Sequence, residues 1–292
     1  MSFIAFDVET ANEELASICQ IGLVEYDGTS LIREWKSYVD PEDEFSGINI
    51  DIHGIDESTV AGAPTFAGLW DFLSHSLSGR VVCTHTSFDR ASVKRACAKC
   101  QLADPACTWL DTARVARRAW PQFAHSGYGL KNLSEFLNYS FVHHDALEDA
   151  KASARILLAA IEQTGLDVQN WLKRLEQPMH RPASRPGSSE VIARPGNPDG
   201  TLFGEVIVFT GALSLRRRDA ADLAAQAGCT VKETVTKDTT LVVVGDQDIR
   251  RLVGHVKSSK HRKAEALIDQ GHEIRILCES DFMDLMGVAP HQ

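Results

Sequence analysis

Apolar and polar positions alternate between two rhythms along the chain. Near the N-terminus the apolar run Phe3-Ile4-Ala5-Phe6 leads into Asp7, and strand-like runs follow at Ser17–Tyr26 and Leu31–Val39. Asp27-Gly28 between the last two is a turn signal, so the opening predicts three antiparallel strands. Ala63-Pro64-Thr65 then opens a segment in which Phe66, Leu69, Trp70 and Leu73 recur at helical spacing. Val81-Val82-Cys83 predicts a short buried strand followed by a helix from about Asp89 to Cys100, with further helices over Tyr128–Leu137 and Leu147–Ile161. Strands and helices mixed in this order predict an α/β domain.

The C-terminal part alternates more regularly. Glu205–Phe209 predicts a strand ending at Thr210-Gly211, and Arg217–Ala227 a helix closed by Gly228. Thr230–Val235 and Thr240–Val244 read as strands, Arg262–Asp269 as a helix closed by Gly271, Ile274–Leu277 as a strand, and Ser280–Met286 as a last helix with Ser280 as its N-cap. The order β-α-β-β-α-β-α predicts a small parallel-sheet domain. Between the two parts, residues 178–202 hold five of the ten prolines and three glycines. Proline blocks helix continuation, so this stretch reads as a linker between domains at 1–177 and 203–292.

Composition adds limits. The 292 residues are 43% apolar and 24% charged, which is ordinary for a globular chain. No stretch approaches the ~20 apolar residues needed to span a bilayer. The first residues lack the basic start and apolar run of a signal peptide, so a cytoplasmic protein without membrane contact is expected. Seven scattered cysteines, an odd number, predict reduced thiols rather than a disulfide framework. The 30 basic and 40 acidic residues give a net charge of −10, which taken whole argues against a nucleic-acid coat protein. The deficit is local, however: residues 1–177 hold 15 basic and 25 acidic residues, while 203–292 hold 12 and 13.

Some of those acids are placed for chemistry. In Phe6-Asp7-Val8-Glu9-Thr10 the carboxylates stand at i and i+2, so on a strand both share a face while Val8 points the other way. Paired carboxylates repel unless a cation holds them, and oxygen-rich clusters suit Mg²⁺ or Mn²⁺. Phe88-Asp89 follows the buried strand, where Asp89 also fits as an N-cap. His144 precedes a helix and Asp149 lies on its first turns, about a turn and a half further on, so both can line one cleft.

These motifs, in this order and at these separations, resemble the three exonuclease motifs of the histidine branch of the DEDD superfamily: Phe6-Asp7-Val8-Glu9-Thr10, Phe88-Asp89, and His144-x-Ala146-x-x-Asp149. Ser17-Ile18-Cys19-Gln20-Ile21-Gly22, Ile52-His53-Gly54-Ile55 and Ala63-Pro64-Thr65-Phe66 extend the likeness to bacterial exonucleases similar to the epsilon proofreading subunit of DNA polymerase III. The resemblance covers residues 1 to about 165. It implies a ribonuclease-H-like fold and a 3′–5′ exonuclease releasing 5′-nucleotides from single-stranded or frayed 3′ ends. It also implies two ions, Mg²⁺ or Mn²⁺, about 4 Å apart on Asp7, Glu9, Asp89 and Asp149, with His144 as the base that deprotonates water. One departure stands out: the His-Asn usual upstream of the second motif is replaced by Thr84-His85.

Other candidates read as structural. Cys97 and Cys100, with Cys107 nearby, hint at zinc, but no second pair follows and buried thiols fit the helix better. Arg114, Arg117 and Arg118 form a basic helix face that reads as solvated, with substrate phosphates as the other use.

In the C-terminal part, Val208-Phe209-Thr210-Gly211, Arg218-Asp219-Ala220, Gly228-Cys229-Thr230-Val231, Ser259-Lys260-x-x-Lys263-Ala264 and Ser280-Asp281-Phe282 together resemble a BRCT domain, closest to that of bacterial NAD-dependent DNA ligases. This implies phosphate recognition, on DNA 5′-phosphate ends or on replication and repair proteins. Thr210, Gly211, Arg218 and Lys263 are the candidate contacts, with Lys260 as an alternative to Lys263. Between Arg250 and Lys263 stand six Lys or Arg and no acid, a candidate DNA contact. Two alternatives keep the folds and change the function: an exoribonuclease acting on RNA 3′ ends, and a non-enzymatic recruitment module.

Overall fold

The computed structural model describes residues 2–124, 126–179, 192–245 and 258–287. The chain divides into two compact units, Met1–Gln177 and Pro178–Gln292.

In the first unit, β1 (Ser2–Thr10), β2 (Ile18–Asp27), β3 (Ser30–Tyr38), β4 (Val81–Thr84) and β5 (Thr108–Asp111) make one sheet in the order β3-β2-β1-β4-β5. The first three strands pair antiparallel, as their spacing predicts, and β4 and β5 add on in parallel. β1 is therefore central, and both of its faces are buried, which is why Phe3 to Phe6 are uniformly apolar. Phe3 and Ala5 pack towards α4 (Thr112–Ala119), α6 (Ala146–Thr164) and α7 (Val168–Glu176). Ile4, Phe6 and Val8 pack towards α2 (Phe66–Leu77) and α3 (Phe88–Lys99).

The helix that matters most to the site is α6. Asp145 caps it, its Oδ1 accepting the N–H groups of Leu147 and Glu148, and Gly165 ends it at φ 71°. Its buried face is rich in small residues (Ala146, Ala150, Ala152, Ala154, Ala159, Ala160), so the helix can lie close to the sheet. Two helices are not among those expected from the sequence: α1 (Gly47–His53), which buries no residue fully, and α7, although Asp167 caps it and Val168, Trp171 and Leu175 stand at helical spacing. Helix α5 (Leu130–Phe136) starts later than Tyr128, whose carbonyl is engaged by His85.

The second unit has β6 (Val206–Thr210), α8 (Arg217–Ala227), β7 (Thr230–Lys232), β8 (Leu241–Val244), α9 (Ser259–Ile268), β9 (Arg275–Cys278) and α10 (Glu279–Leu285). Its sheet runs β7-β6-β8-β9, with every pairing parallel. Several boundaries differ from the sequence reading, and β7 stops at Lys232 rather than Val235. Helix α9 begins at Ser259 because the Ser258 hydroxyl accepts the His261 N–H. Helix α10 takes Cys278, not Ser280, as N-cap; Glu279 opens it and its carboxylate accepts the N–H groups of Ser214 and Leu215. Residues 194–202, read as part of the linker, pack on this unit: Arg194 bridges Val231, Leu202 is buried, and Gly200 lies so close to the Ala227 carbonyl that a side chain has no room. The rest of the Pro-rich stretch, 180–191, and residues 250–257 of the basic stretch lie outside the described residues.

Candidate active site

Strand β1 pairs with β4 only as far as Ile4↔Val82 and Ala5↔Cys83. Beyond that the two strands diverge, and the C-terminal end of β1 opens into a fork. Asp7 and Glu9 stand there on the Phe3–Ala5 face, as the i, i+2 spacing predicts, while Val8 is in the opposite core layer. Asp89 enters the fork from the first turn of α3. It does not cap that helix: its Oδ1 accepts the Val8 N–H at 3.2 Å, replacing the strand partner that β1 has lost. The pairing with β2 shifts between Glu9 and Thr10, making Cys19 the extra residue of a bulge, a device that re-aims side chains beside functional sites. Burial and the Glu9 charge push the Cys19 thiol far above its ordinary range.

The start of α6 closes the cleft. Its first turn carries Asp149, only 5% exposed, and the chain before it turns through His144 at φ 66°, a left-handed conformation uncommon outside glycine. The His144 N–H donates to Asp149 Oδ2 at 3.1 Å, so loop and carboxylate hold one another. His144 Nδ1 lies 3.9 Å from Glu9 Oε1.

Three features of the sheet dock this turn. The Gln20 side chain, 2% exposed, accepts the Ala146 N–H at 2.7 Å. Gly22, opposite Asp7 in the strand register, leaves no room for a Cβ against the Ala146 main chain. Lys36 on β3 donates to Asp145 Oδ2 at 2.8 Å. Sequence reading quoted Gln20 and Gly22 without a role for either; a glycine and a buried amide inside an otherwise apolar strand are the signal that was there to be used.

Carboxylate oxygens of Asp7, Glu9 and Asp149 lie within 4.8 Å of one another. Three such groups, two of them almost fully buried, are costly together unless a cation compensates them. The donor set is all oxygen, which fits Mg²⁺ or Mn²⁺. Asp89 borders this trio through Val8 rather than belonging to it.

The Thr84-His85 departure has a structural use. His85, 9% exposed, hydrogen-bonds Thr112 Oγ1 through Nδ1 and the Tyr128 carbonyl through Nε2, each at 2.9 Å. Thr84 Oγ1 donates to the Thr86 carbonyl. The pair ties the end of β4 to α4 and to the chain entering α5. On the far side of β1, α1 is anchored at Thr10, whose carbonyl accepts from Asn49 Nδ2 and His53 Nε2 while His53 Nδ1 accepts the Ile55 N–H. Burial lowers the His53 pKa.

The weaker candidates resolve into structural groups. Burial pushes the Cys97 thiol up to about 12 and Cys107 to about 11. Among the described residues no cysteine joins a metal-competent cluster. The basic face of α4 is engaged within the unit: Arg114 and Arg118, both half-buried, donate to the carbonyls of Leu175 and Gln177, and the buried Arg117 lies over the Tyr128 ring.

In the second unit, Thr210 Oγ1 shares a 2.7 Å hydrogen bond with Ser258 Oγ. Lys260 Nζ and Arg217 Nη1 both donate to the Phe209 carbonyl, and Arg217 Nη2 to that of Gly211. Burial and the Arg217 charge lower the Lys260 pKa, with Glu233 opposing. Lys260 and Arg217 thus converge on Thr210-Gly211, whereas Lys263 and Arg218 are exposed on their helices and are not brought there.

A ribonuclease-H-like α/β fold with a carboxylate cluster at the end of its central strand is the architecture of a nuclease. The chain belongs to the exonuclease family: residues 4–157 match its model, RNase_T. It is 31% identical over 168 residues to a DNA polymerase III PolC-type from Caldanaerobacter subterraneus subsp. tengcongensis, covering 55% of this chain and 12% of that protein. It is 35% identical over 99 residues to a DNA ligase from Nitratidesulfovibrio vulgaris, covering 34% of this chain and 10% of the ligase. The chain therefore spans only a small part of these relatives' length. A solved structure, that of a full-length 3′-exonuclease, superposes with a TM-score of 0.50 at 21% identity, covering 56% of this chain and 61% of that one, and shares the fold. Among the described residues no helix is long and apolar enough to cross a membrane.

Proposed function

We propose that the protein is a metal-dependent 3′–5′ exonuclease that releases 5′-nucleotides from DNA 3′ ends, with the second unit as a BRCT domain that recruits it to DNA ends or to a replication or repair complex. The observation that carries the first half is the convergence of Asp7, Glu9 and Asp149 beside His144 in a chain of the exonuclease family. In this reading Asp7, Glu9, Asp89 and Asp149 hold two divalent ions, Mg²⁺ or Mn²⁺. Such ions, when bound, polarise the phosphodiester and stabilise the departing 3′ oxygen. His144 accepts the proton of the attacking water; its left-handed turn and the Asp149 bond to its N–H fix where the imidazole stands. The PolC-type relative favours DNA over RNA as substrate.

For the second unit, two cations meeting at one carbonyl beside two hydroxyls and the N-terminus of α9 make a site for an anion, and the ligase relative agrees with phosphate. Lys260 and Arg217 take the roles that sequence reading gave to Lys263 and Arg218, with Thr210 and Gly211 retained.

Digestion of end-labelled DNA and RNA strands with Mg²⁺, with Mn²⁺ and with chelator tests the catalytic half. The expected result is stepwise shortening of DNA from its 3′ end, abolished by chelator. Preference for RNA would move the substrate to RNA 3′ ends, and no digestion of either would leave a recruitment module. For the second unit, duplex binding with and without a 5′-phosphate is compared in Lys260→Ala and Lys263→Ala; loss in the first alone is expected.

A further inference from the structure

His143 is not used by the reaction proposed above, yet its ring lies 3.9 Å from that of His144, centroid to centroid, at 55°. Consecutive side chains on extended backbone point to opposite sides. The left-handed φ of 66° at His144 breaks that alternation and turns both imidazoles the same way. One ligating atom from each of His143, His144 and Asp149 falls within a set whose members all lie within 4.8 Å of one another. The His143 ring is held from behind, edge-to-face with Phe141 at 5.5 Å, and Phe141 stacks on Tyr139 at 6.0 Å. Both histidines are half-buried and Asp149 is buried, so the set opens towards solvent through its nitrogen ligands.

We propose that His143, His144 and Asp149 form an inhibitory site for a borderline transition-metal ion of the Zn²⁺ type, distinct in chemistry from the all-oxygen site of Asp7, Glu9 and Asp149. Two imidazoles and a carboxylate with a fourth position left to water is the ligand set of an open zinc centre. Imidazole favours Zn²⁺, whereas carboxylate oxygens alone suit Mg²⁺ and Mn²⁺. A tetrahedral zinc holds its donors about 3.4 Å apart, so small rotations of the side chains close the set. The two sites share Asp149. Filling the nitrogen site ties up the imidazole lone pair of His144 and draws Asp149 away from the trio, so the enzyme stops while its fold is unchanged. The inhibitory part rests on the reading of His144 as the base; the metal site itself does not.

The full chain is assayed with Mg²⁺ in excess while Zn²⁺ is titrated, in parallel with His143→Ala and the size-conserving His143→Gln. Wild type is expected to be inhibited. Both variants are expected to keep the uninhibited rate and to need about tenfold more Zn²⁺ or above for half-inhibition, the scale on which losing a metal-supporting group acts. Co²⁺ gives a readout independent of nuclease activity: the visible absorption of nitrogen-ligated tetrahedral Co²⁺ is expected in wild type and in Asp7→Asn, and absent in both His143 variants. Unchanged Zn²⁺ sensitivity together with an unchanged Co²⁺ spectrum in those variants overturns the site. A His143-dependent spectrum in a chain that digests no nucleic acid would keep the metal site and remove the nuclease reading instead.

Discussion

Gly22 on β2 and Ala146 at the start of α6 meet main chain to main chain, so that a Cβ at position 22 would overlap the Ala146 carbonyl and the Leu147 nitrogen. The strand that carries Gly22 is paired to the strand that carries Asp7, and the helix that carries Ala146 also carries Asp149. One hydrogen atom thus sets the spacing between two carboxylates that share a cation in the function proposed above. Gly22→Ala is expected to push α6 outward, costing about 1–3 kcal/mol as an overpacked core site. A displacement of about 1 Å at the reacting groups is expected to lower kcat about a hundredfold. Thermal melts and single-turnover digestion check the two effects, and near-normal kcat in a destabilised variant would mean that the helix is free to shift without moving Asp149.

Asp7→Asn and Asp149→Asn separate the catalytic use of these acids from any structural one. Each is expected to reduce nucleotide release to background. In chelator, neither is expected to lower Tm, because each removes one charge from a set of carboxylates that repel when no cation is present. His144→Ala is expected to lose about 10²–10⁴ in rate, the usual contribution of a general base, while Mn²⁺ affinity read by calorimetry stays close to wild type. A large drop in Mn²⁺ affinity in that variant would make His144 a ligand rather than a base.

His53 gives the first unit a pH dependence of known sign. Burial holds its pKa below the ordinary 6.5, and Nδ1 must release the Ile55 N–H to take a proton. The folded chain therefore binds fewer protons than the unfolded one between the two pKa values. The stability tied to this group is complete above pH 6.5 and is lost as pH falls through that interval. His53→Gln is expected to flatten the acid limb of a plot of Tm against pH, and parallel limbs in the two proteins would assign the slope to other groups.

Charge distribution predicts a division of labour. Residues 1–177 hold 25 acidic and 15 basic residues, while 203–292 are nearly balanced. Removing 178–292 is expected to spare turnover of short oligonucleotides and to lower activity on long DNA, more so at higher salt. Digestion of both lengths across a salt series reads this out, and equal activity on long DNA would place substrate affinity in the first unit despite its charge.

The acids were legible because the i, i+2 and His-x-Ala-x-x-Asp spacings are local facts, and the antiparallel opening was legible because Asp27-Gly28 sits between two apolar runs. Elements with little buried surface were not: β5 has one fully buried residue, Leu110, and α1 none, so neither shows an apolar period. Contacts across long sequence separation left only an unspecific trace, a polar amide and a glycine inside an apolar strand that do not name their partner. Nothing near Gln20 announces that its amide takes an N–H 126 residues away, and nothing in Arg217-Arg218 says which guanidinium turns back towards Phe209. Which of two neighbouring cations on a helix turns inward depends on which face the sheet occupies, and the chain alone does not state it.

The alanine face of α6 has a consequence for how the protein fails. Ala150, Ala152 and Ala154 are fully buried within about a turn and a half beyond Asp149, so the same close approach that packs the core also sets the distance across the cleft. Warming loosens helix-to-sheet packing before it unfolds a domain, and a cleft that depends on that packing should fall silent first. The temperature at which activity disappears would then lie below the melting temperature, leaving an intact but idle nuclease in the interval between them.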